Sequence, residues 1–257
     1  MIDSRAIIHP SARLADDVEV GPFTTIGPDV DIGSGTKIHS HVVIKGPTTI
    51  GRNNTIYQFS SVGEDCQDKK FRPGEQTRLE IGDNNIIREG CTLHRGTIQD
   101  NSLTRIGHGN LLMAYVHVAH DCIVGDNCIL ANNTALAGHV VVDDNVILGG
   151  FTTVHQFCRI GQGSMSGAQS AVFKDIPAYV MVSGNPAKPH GMNFEGMRRR
   201  GWNDTKIRSL RNAYKTVYLR NLKLDHAKEE LQGMADQTPE IQILLDSIQT
   251  STRGIVR

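Results

Sequence analysis

An aliphatic residue recurs at every sixth position between residues 106 and 160, without a miss. The ten positions are Ile106, Leu112, Val118, Val124, Leu130, Leu136, Val142, Leu148, Val154 and Ile160. A period of six fits neither an amphipathic helix nor a single alternating strand. It is typical of a solenoid that turns a corner every six residues, so that three short strands complete a coil of eighteen residues. The sequence therefore predicts a three-sided β solenoid.

Two polar stretches interrupt this period. An earlier run of the same pattern extends from Ile8 to Val62, and residues 64–80 and 94–105 then break the register before Ile106 restores it. Because both stretches are polar and charged, we predict that they leave the solenoid as excursion loops. Loops of this length in a compact repeat array are often functional. The two excursions are therefore expected to frame a site.

The solenoid pattern ends well before the C-terminus. The period fades after Ile160, and residues 175–189 contain three prolines. Beyond this linker the apolar spacing becomes helical. Helices are predicted over residues 204–220 and 225–235 and from Pro239 onward. We therefore assign residues 1–187 to the solenoid and residues 188–257 to a C-terminal helical domain.

Charge is distributed unevenly between these two parts. Residues 1–187 hold 14 Lys and Arg against 19 Asp and Glu, whereas residues 188–257 hold 13 against 8. The basic C-terminal part predicts an acidic partner or a phosphate ligand. Nothing in the sequence indicates a metal, a nucleotide cofactor or nucleic acid. A repeat with open sides commonly hides surface by oligomerising, and we expect a trimer.

Cysteine usage and the N-terminus bear on the cell compartment. Four of the five cysteines lie two positions before an aliphatic marker and are expected to be small buried core residues: Cys91, Cys122, Cys128 and Cys158. The repeat begins by Ile8, which leaves no room for a signal peptide, and no apolar run approaches the length of a membrane span. We expect a cytoplasmic location and no stable membrane insertion.

Three histidines fall near one corner on consecutive coils. His120, His139 and His155 lie one to three positions after markers of the same column, and Asp121 follows His120 directly. Gly138 lies one coil away from His120. Because these positions belong to the corners, their side chains are expected to point outward, toward solvent or a neighbouring subunit. A neutral imidazole beside a carboxylate is the usual general base near neutral pH.

The residues around this corner carry a family resemblance. The central motifs are residues 114–122, 132–140 and 154–158. Further matching motifs occur at residues 67–70, 87–89, 93–97, 193–201 and 251–254. Together they cover essentially the whole chain. They closely resemble the acyl-carrier-protein:UDP-N-acetylglucosamine O-acyltransferases, which begin lipid A synthesis in Gram-negative bacteria.

This resemblance implies both a fold and a reaction. The fold would be a left-handed parallel β-helix of hexapeptide repeats with a C-terminal α-helical domain, assembled as a homotrimer with active sites between subunits. The reaction would move an (R)-3-hydroxyacyl group from acyl carrier protein to the glucosamine 3-hydroxyl of UDP-N-acetylglucosamine. The basic C-terminal helices, with Arg208 and Arg211, would offer a docking surface to the acidic carrier.

The resemblance also implies roles for individual residues. His120 would be the general base, Asp121 would orient it, and the backbone N–H of Gly138 would contact the oxyanion. The substrate pockets would be lined by His117, His139, His155 and Gln156. The uridine diphosphate part would be bound by Asn193, Glu195 and Arg199. The sugar nucleotide would be reached from a neighbouring subunit by Asp68 and Lys70.

Two positions of this chain qualify the resemblance. The loop between Lys70 and Arg78 is one residue longer than the pattern of the family. Ala168 stands where the family measures the acyl tail and where some members that use longer chains have glycine. The methyl group of Ala168, compared with glycine, would shorten the groove that holds the acyl tail. We therefore predict a medium-length hydroxyacyl donor, shorter than fourteen carbons.

Three alternatives remain open at this point. A γ-class carbonic anhydrase is also a trimeric left-handed β-helix, but it needs three imidazoles that converge on a metal, and the close pair here is His117 and His120. The N-acyltransferase that acts later in the same pathway generally carries an extra N-terminal domain. A non-catalytic scaffold or sugar-nucleotide binder would have no need of a His120–Asp121 pair beside Gly138.

Overall fold

Short parallel strands alternate with tight corners along most of the chain in the computed structural model, which describes all residues from Met1 to Arg257. The first strands are β1 (Ile7–Ile8), β2 (Arg13–Leu14), β3 (Glu19–Val20), β4 (Thr25–Ile26), β5 (Val30–Ile32), β6 (Lys37–Ile38), β7 (Val43–Ile44), β8 (Thr48–Ile50), β9 (Thr55–Ile56), β10 (Ser61–Glu64), β11 (Arg78–Ile81), β12 (Ile86–Ile87), β13 (Thr92–His94) and β14 (Leu103–Ile106). The remaining strands are β15 (Leu111–Leu112), β16 (His117–Val118), β17 (Ile123–Val124), β18 (Ile129–Leu130), β19 (Ala135–Leu136), β20 (Val141–Val142), β21 (Ile147–Leu148), β22 (Thr153–Val154), β23 (Arg159–Ile160), β24 (Met165–Ser166), β25 (Ala171–Val172), β26 (Val180–Ser183) and β27 (Lys188–Met192).

Every third strand joins the same sheet, so the solenoid has three faces. The first face runs from β1 through every third strand to β25, the second from β2 to β23, and the third from β3 to β24 and on to β26 and β27. We call the turn from the first face to the second the first corner, the turn from the second to the third the second corner, and the turn from the third back to the first the third corner. All pairings are parallel except that of β26 with β27.

The predicted stacking of the aliphatic markers is confirmed by the strand register. Ile106 pairs in register with Val124, Val124 with Val142, and Val142 with Ile160. These four side chains are at most 1 % exposed. Burial of one such side chain is worth roughly 1.5–3 kcal/mol. The core of the solenoid is therefore the stack of markers itself.

Both excursion loops replace the first corner. They comprise residues 65–77 between β10 and β11 and residues 95–102 between β13 and β14. Arg95, which is 8 % exposed, connects the bases of the two loops. Its Nη1 donates to the carbonyl oxygens of Gly46 at 2.8 Å and Gly63 at 2.6 Å, and its Nη2 pairs with Asp65. The predicted excursions thus emerge on the same edge of the solenoid as His120.

Four helices follow the last strand. They are α1 (Phe194–Arg199), α2 (Asp204–Tyr218), α3 (Leu224–Ala235) and α4 (Pro239–Gln249). The last three confirm the helices predicted from the sequence, and Asn203 caps α2 by accepting from the N–H of Lys206 at 2.9 Å. The apolar faces of α2 and α4, including Leu210 and Leu244, form a second core. None of the four helices is long and apolar enough to cross a membrane.

The C-terminal tail returns to the solenoid and covers its end. Asp175 donates its backbone N–H to the Gly254 carbonyl, and Val256 donates to the Asp175 carbonyl, each at 2.9 Å. Ser251 donates its hydroxyl to the Asp175 carboxylate at 2.6 Å. Val256 is 3 % exposed and joins the solenoid core. This docking brings Arg253 to the first corner.

Candidate active site

His120 and Asp121 form a partly buried pair on the first corner. Nδ1 of His120 lies 2.8 Å from Oδ2 of Asp121, and the two side chains are 14 % and 1 % exposed. An ionised carboxylate can only accept hydrogen bonds, so Nδ1 is the protonated nitrogen. The lone pair of a neutral His120 ring is therefore on Nε2, the nitrogen that faces away from the carboxylate.

Asp121 points into the protein, unlike the predicted outward orientation of the corner side chains. The second excursion loop covers it: Thr97 donates its backbone N–H to Oδ1 at 2.9 Å and its hydroxyl to Oδ2 at 2.6 Å. The backbone N–H of Asp121 donates to the Thr104 hydroxyl at 2.8 Å. Burial raises the pKa of Asp121, but the hydrogen bonds from His120 and Thr97 outweigh burial and lower that pKa below its usual range. The carboxylate is thus held ionised.

Gly138 lies against the ring of His120, one coil further along the solenoid. A Cβ atom at Gly138 would lie 2.5 Å from Cε1 and 2.6 Å from Nε2 of His120. Only a residue without a side chain leaves room for the imidazole in this position. The N–H of Gly138 makes no hydrogen bond within the chain, so it is available to a ligand at this corner.

His139 completes the cluster next to this pair. Its Nε2 lies 3.9 Å from Oδ2 of Asp121, and its Nδ1 lies 2.9 Å from Oδ2 of Asp100. One face of the ring stacks on Phe157, with centroids 4.4 Å apart and an angle of 11° between the planes. The ring of His120 meets it edge-on at 5.1 Å. The orientation of His139 is therefore fixed on three sides.

Two further histidines lie near His120: His117 is on the same coil, and His94 is on the coil before it. Nδ1 of His117 is 2.7 Å from the Thr92 hydroxyl, and the rings of His94 and His117 meet edge-on at 5.0 Å. Burial, together with the neighbouring His117, lowers the pKa of His94 to about 4. Burial, with His120 nearby, also lowers the pKa of His117. Burial thus disfavours the protonated form of both rings.

His155 and Gln156 lie at the first corner, one coil beyond Gly138 and His139. Nδ1 of His155 is 3.1 Å from the Gln156 carbonyl oxygen and 3.3 Å from Nη2 of Arg253. Phe173 lies beside the ring, with centroids 6.0 Å apart. The C-terminal tail thus borders the histidine cluster, which was not expected from the sequence alone.

The candidate residues of the C-terminal part lie elsewhere in the protomer. Asn193 is 4 % exposed and caps α1, with its Nδ2 donating to the Gly163 carbonyl at the second corner. Glu195 and Arg199 pair with each other on the exposed side of α1 at 3.3 Å. Ala168 is exposed on the third corner. One protomer therefore does not bring these residues to His120.

Asp68 and Lys70 lie on the first excursion loop. Asp68 accepts from the backbone N–H of Lys70 at 2.8 Å, which closes a turn within the loop. The ammonium group of Lys70 makes no hydrogen bond or salt bridge within the chain, and the residue is exposed. Both residues share the first corner with His120 but make no hydrogen bond or salt bridge to the histidine cluster.

The cluster also has the composition of a small metal site. His120, Asp121 and His139 place one potential ligand atom each within 4.8 Å of one another. The Asp121 oxygen that faces both rings already accepts hydrogen bonds from Thr97 and His120. A cavity of about 500 Å³ lies away from this cluster, between the second face and α4, next to Asp143.

Several residues that build the site were not identified from the sequence. Thr97, Thr104 and Asp100 contact Asp121 or His139 from the second excursion loop and the strand after it. His94 was part of a matching motif without an assigned role. Thr97 belonged to the same motif, residues 93–97. The only sequence evidence for Asp100 and Thr104 was their place in an interruption of the repeat, which predicted a functional loop but no contacts.

A solenoid of six-residue repeats with a histidine–aspartate corner belongs to the class of bacterial hexapeptide transferases. Residues 11–46 and 103–138 match the profile described as bacterial transferase hexapeptide (six repeats). Residues 175–256 match the profile described as UDP N-acetylglucosamine O-acyltransferase, domain 2. Matches in both the solenoid and the C-terminal part of the chain thus support this class of transferase.

Full-length relatives narrow the class to one family. The acyl-[acyl-carrier-protein]–UDP-N-acetylglucosamine O-acyltransferase of Stutzerimonas stutzeri is 62 % identical, covering 100 % of this chain and 99 % of its own length. Two solved structures, LpxA from Acinetobacter baumannii and UDP-N-acetylglucosamine O-acyltransferase (LpxA) from Moraxella catarrhalis, are 56 % and 53 % identical, each with a TM-score of 0.97, and each match covers 100 % of this chain and 99 % of the other. The chain belongs to the acyl-[acyl-carrier-protein]–UDP-N-acetylglucosamine O-acyltransferase family.

Family membership decides several sequence predictions. The left-handed parallel β-helix with a C-terminal helical region is confirmed. The chain is an O-acyltransferase, so the carbonic anhydrase, N-acyltransferase and scaffold alternatives are set aside.

Proposed function

We propose that this chain transfers an (R)-3-hydroxyacyl group from acyl carrier protein to the glucosamine 3-hydroxyl of UDP-N-acetylglucosamine, the first step of lipid A synthesis. The names of its full-length relatives support the two substrates. The mechanism rests on the spatial arrangement of Asp121, His120 and Gly138. This arrangement places a base and a free backbone donor side by side.

His120 is the general base of this reaction. Nε2 takes the proton of the sugar 3-hydroxyl while the oxygen attacks the thioester carbonyl carbon. Asp121 accepts from Nδ1 and stabilises the positive charge that the ring then carries. When the tetrahedral intermediate collapses, the carbon–sulfur bond breaks and the departing thiolate receives the proton from Nε2. The ring is neutral again after one turnover.

Gly138 stabilises the intermediate through its backbone. The carbonyl oxygen of the thioester becomes negatively charged on attack, and Gly138, which packs against the His120 ring, has an unpaired N–H that can donate to this oxygen. A donor aimed at the oxyanion is typically worth about a hundredfold or more in rate. His117, His139, His155 and Gln156 border the same corner and are assigned to the walls of the substrate pockets.

The remaining assigned residues require a second protomer, and we propose a homotrimer. Glu195 and Arg199, with their cap Asn193, bind the uridine diphosphate part from the second corner of one protomer while His120 acts from the first corner of the next. Ala168 borders the acyl tail from a third corner. Asp68 and Lys70 reach the sugar nucleotide from the first excursion loop. In a trimer of 28.2 kDa chains these corners can meet between subunits.

The shared site can be tested by complementation. His120→Ala and Arg199→Ala chains are each expected to be impaired alone. Mixed trimers formed by coexpression should regain part of the activity, because some interfaces then combine an intact His120 with an intact Arg199. A mixture no more active than its two parents would contradict an active site between subunits.

The basic C-terminal helices are proposed as the docking surface for the carrier. Arg208 and Arg211 are exposed on α2, and the Arg211 guanidinium lies 4.8 Å from the centroid of the Phe194 ring. Charge reversal at both arginines should raise the KM for acylated carrier at low salt and leave the KM for UDP-N-acetylglucosamine unchanged. An unchanged KM for the carrier would contradict this docking surface.

The reaction itself is tested by direct assay. UDP-N-acetylglucosamine is incubated with a set of 3-hydroxyacyl carrier proteins, with and without a chelator, and the acylated sugar nucleotide is measured. We expect transfer that survives the chelator and is lost in His120→Ala. His226→Ala, an exposed histidine on α3, is the matched control and should retain full activity. Absence of transfer from every donor would overturn the proposal.

A further inference from the structure

The second excursion loop contacts the histidine cluster at two of its residues, Thr97 and Asp100. Thr97 donates twice to Asp121, the carboxylate that orients His120. Three residues further on, Asp100 accepts from Nδ1 of His139 at 2.9 Å. Nε2 of His139 in turn faces Asp121 at 3.9 Å. The loop and the two corner residues thus form a closed ring of contacts.

We propose that Asp100 is a positioning residue of the active site, which acts by holding His139. This inference rests on the proposed acyl transfer. Asp100 makes no hydrogen bond or salt bridge to His120 or Gly138, so its effect on the reaction passes through the ring of His139. Its side chain is 39 % exposed, whereas that of His139 is 17 % exposed.

The contact decides which nitrogen of His139 faces the cluster. A carboxylate only accepts, so Nδ1 of His139 carries a proton that is donated to Asp100. A ring flip would move Nδ1 toward Asp121 and lose that hydrogen bond. Phe157 stacks on one face of the ring and His120 meets it edge-on, but neither contact distinguishes the two ring nitrogens. Asp100 is the partner that does.

The turn that presents Asp100 is itself well defined. The backbone N–H groups of Asp100 and Ser102 both donate to the Thr97 carbonyl, at 3.2 and 3.1 Å. Asn101 donates from its side chain to the other oxygen of Asp100 at 2.9 Å. The carboxylate is therefore oriented by its own loop, and this orientation does not require a bound substrate.

The test compares Asp100→Ala with a neighbour on the same loop. We expect the kcat of Asp100→Ala to fall roughly three- to tenfold, as for a partly exposed hydrogen bond to a charged group. Gln99→Ala is the matched control, because Gln99 is exposed and makes no hydrogen bond. It should retain wild-type kcat. Equal rates for Asp100→Ala and Gln99→Ala would overturn the inference, provided that the wild-type enzyme transfers the acyl group.

A double-mutant cycle separates positioning from loop stability. If Asp100 acts through His139, the Asp100→Ala/His139→Gln double variant should be no slower than His139→Gln alone. A purely structural role would reduce the rate by the same factor in both backgrounds and would contradict the inference. Residual rates are measured by single turnover with excess enzyme.

An imidazole nitrogen spectrum provides a readout without turnover. In protein labelled with ¹⁵N-histidine, the Nδ1 resonance of His139, identified by its absence in His139→Gln, should be that of a protonated nitrogen. In Asp100→Ala the proton should redistribute between Nδ1 and Nε2. An unchanged His139 spectrum would contradict the inference even if the rate falls. Inactive wild-type enzyme would instead count against the proposed function.

Discussion

The imidazole of His120 occupies the space that a side chain at Gly138 would fill. A Cβ at Gly138 would lie 2.6 Å from Nε2, far inside van der Waals contact. The backbone of Gly138 on one coil thus lies against Nε2 of His120, the proposed base, on the previous coil. It explains why a glycine stands at a corner position that, on other coils, holds residues with side chains, such as Gln156.

Gly138→Ala should therefore inactivate the enzyme without unfolding it. The added methyl group displaces the His120 ring, which moves the base and obstructs the oxyanion donor together, and we expect kcat to fall about a hundredfold or more. Gly27→Ala is the matched control, because its Cβ would meet nothing closer than 3.4 Å. Wild-type kcat in Gly138→Ala, measured with acylated carrier at saturation, would contradict this placement of the ring.

Thr97→Val should weaken catalysis through Asp121. The substitution keeps the backbone donor but removes the hydroxyl that donates to Oδ2 at 2.6 Å, and kcat should fall about tenfold. Because this hydrogen bond lowers the pKa of Asp121, its loss raises that pKa. The acidic limb of the pH–rate profile should move to higher pH. Thr97→Ser retains the hydroxyl and should behave as wild type, and an unshifted Thr97→Val profile would count against the account.

His94 should make the folded protein less stable in acid. Its pKa is about 4 when folded, against an ordinary value of 6.5. Well above pH 6.5 the ring is neutral in both states and contributes no pH dependence. As the pH falls below that value, the unfolded chain binds a proton that the folded chain does not, and stability decreases until the pH reaches the folded pKa. The full loss is about 3 kcal/mol per protomer.

Chemical denaturation of His94→Gln measures this loss. The stability of wild type relative to the variant should decrease between pH 7.5 and pH 4.5 at one fixed protein concentration. His226→Gln, which removes an exposed histidine, should track wild type at both pH values. A pH-independent difference between wild type and His94→Gln would show that His94 titrates normally.

Ala168 should limit the acyl chain. A methyl group in an apolar groove occupies about the space of one methylene, and one methylene is worth roughly 1–3 kcal/mol of discrimination. We expect wild type to prefer ten- or twelve-carbon hydroxyacyl donors and Ala168→Gly to shift the preference toward fourteen carbons. Competition between the three donors, with products separated by mass, measures both. A wild-type preference for fourteen carbons would refute the prediction.

The fold could be predicted from the sequence because the six-residue spacing of the aliphatic residues directly indicates a three-sided solenoid. Each aliphatic marker, such as Val124, recurs at the period of the coil, and its register partner follows by counting. Helix α1 was not predicted, because it has only six residues and its cap, Asn193, donates to a carbonyl thirty residues away. The division at residues 187 and 188 stays a prediction, since β27 continues the third face beyond it.

The site was only partly predictable, for a reason of topology. His120, Asp121 and Gly138 are related by one coil, so counting places them together. Thr97 and Asp100 reach the cluster across 24 and 39 residues through a loop without a repeat. The inward orientation of Asp121 depends on that loop as well. Where the chain leaves the period, spacing no longer predicts contacts.

The most direct test of the central claim is chemical rescue of His120→Ala. Removal of the ring leaves a space beside the Gly138 N–H and the Asp121 carboxylate, and free imidazole can enter it from the open corner. We predict that the single-turnover rate of acyl transfer falls by about a hundredfold or more, while the affinity for UDP-N-acetylglucosamine changes little. Added imidazole should restore part of the rate in proportion to its neutral form, with no effect on wild type. Transfer by His120→Ala within threefold of wild type would contradict the role of His120 as general base.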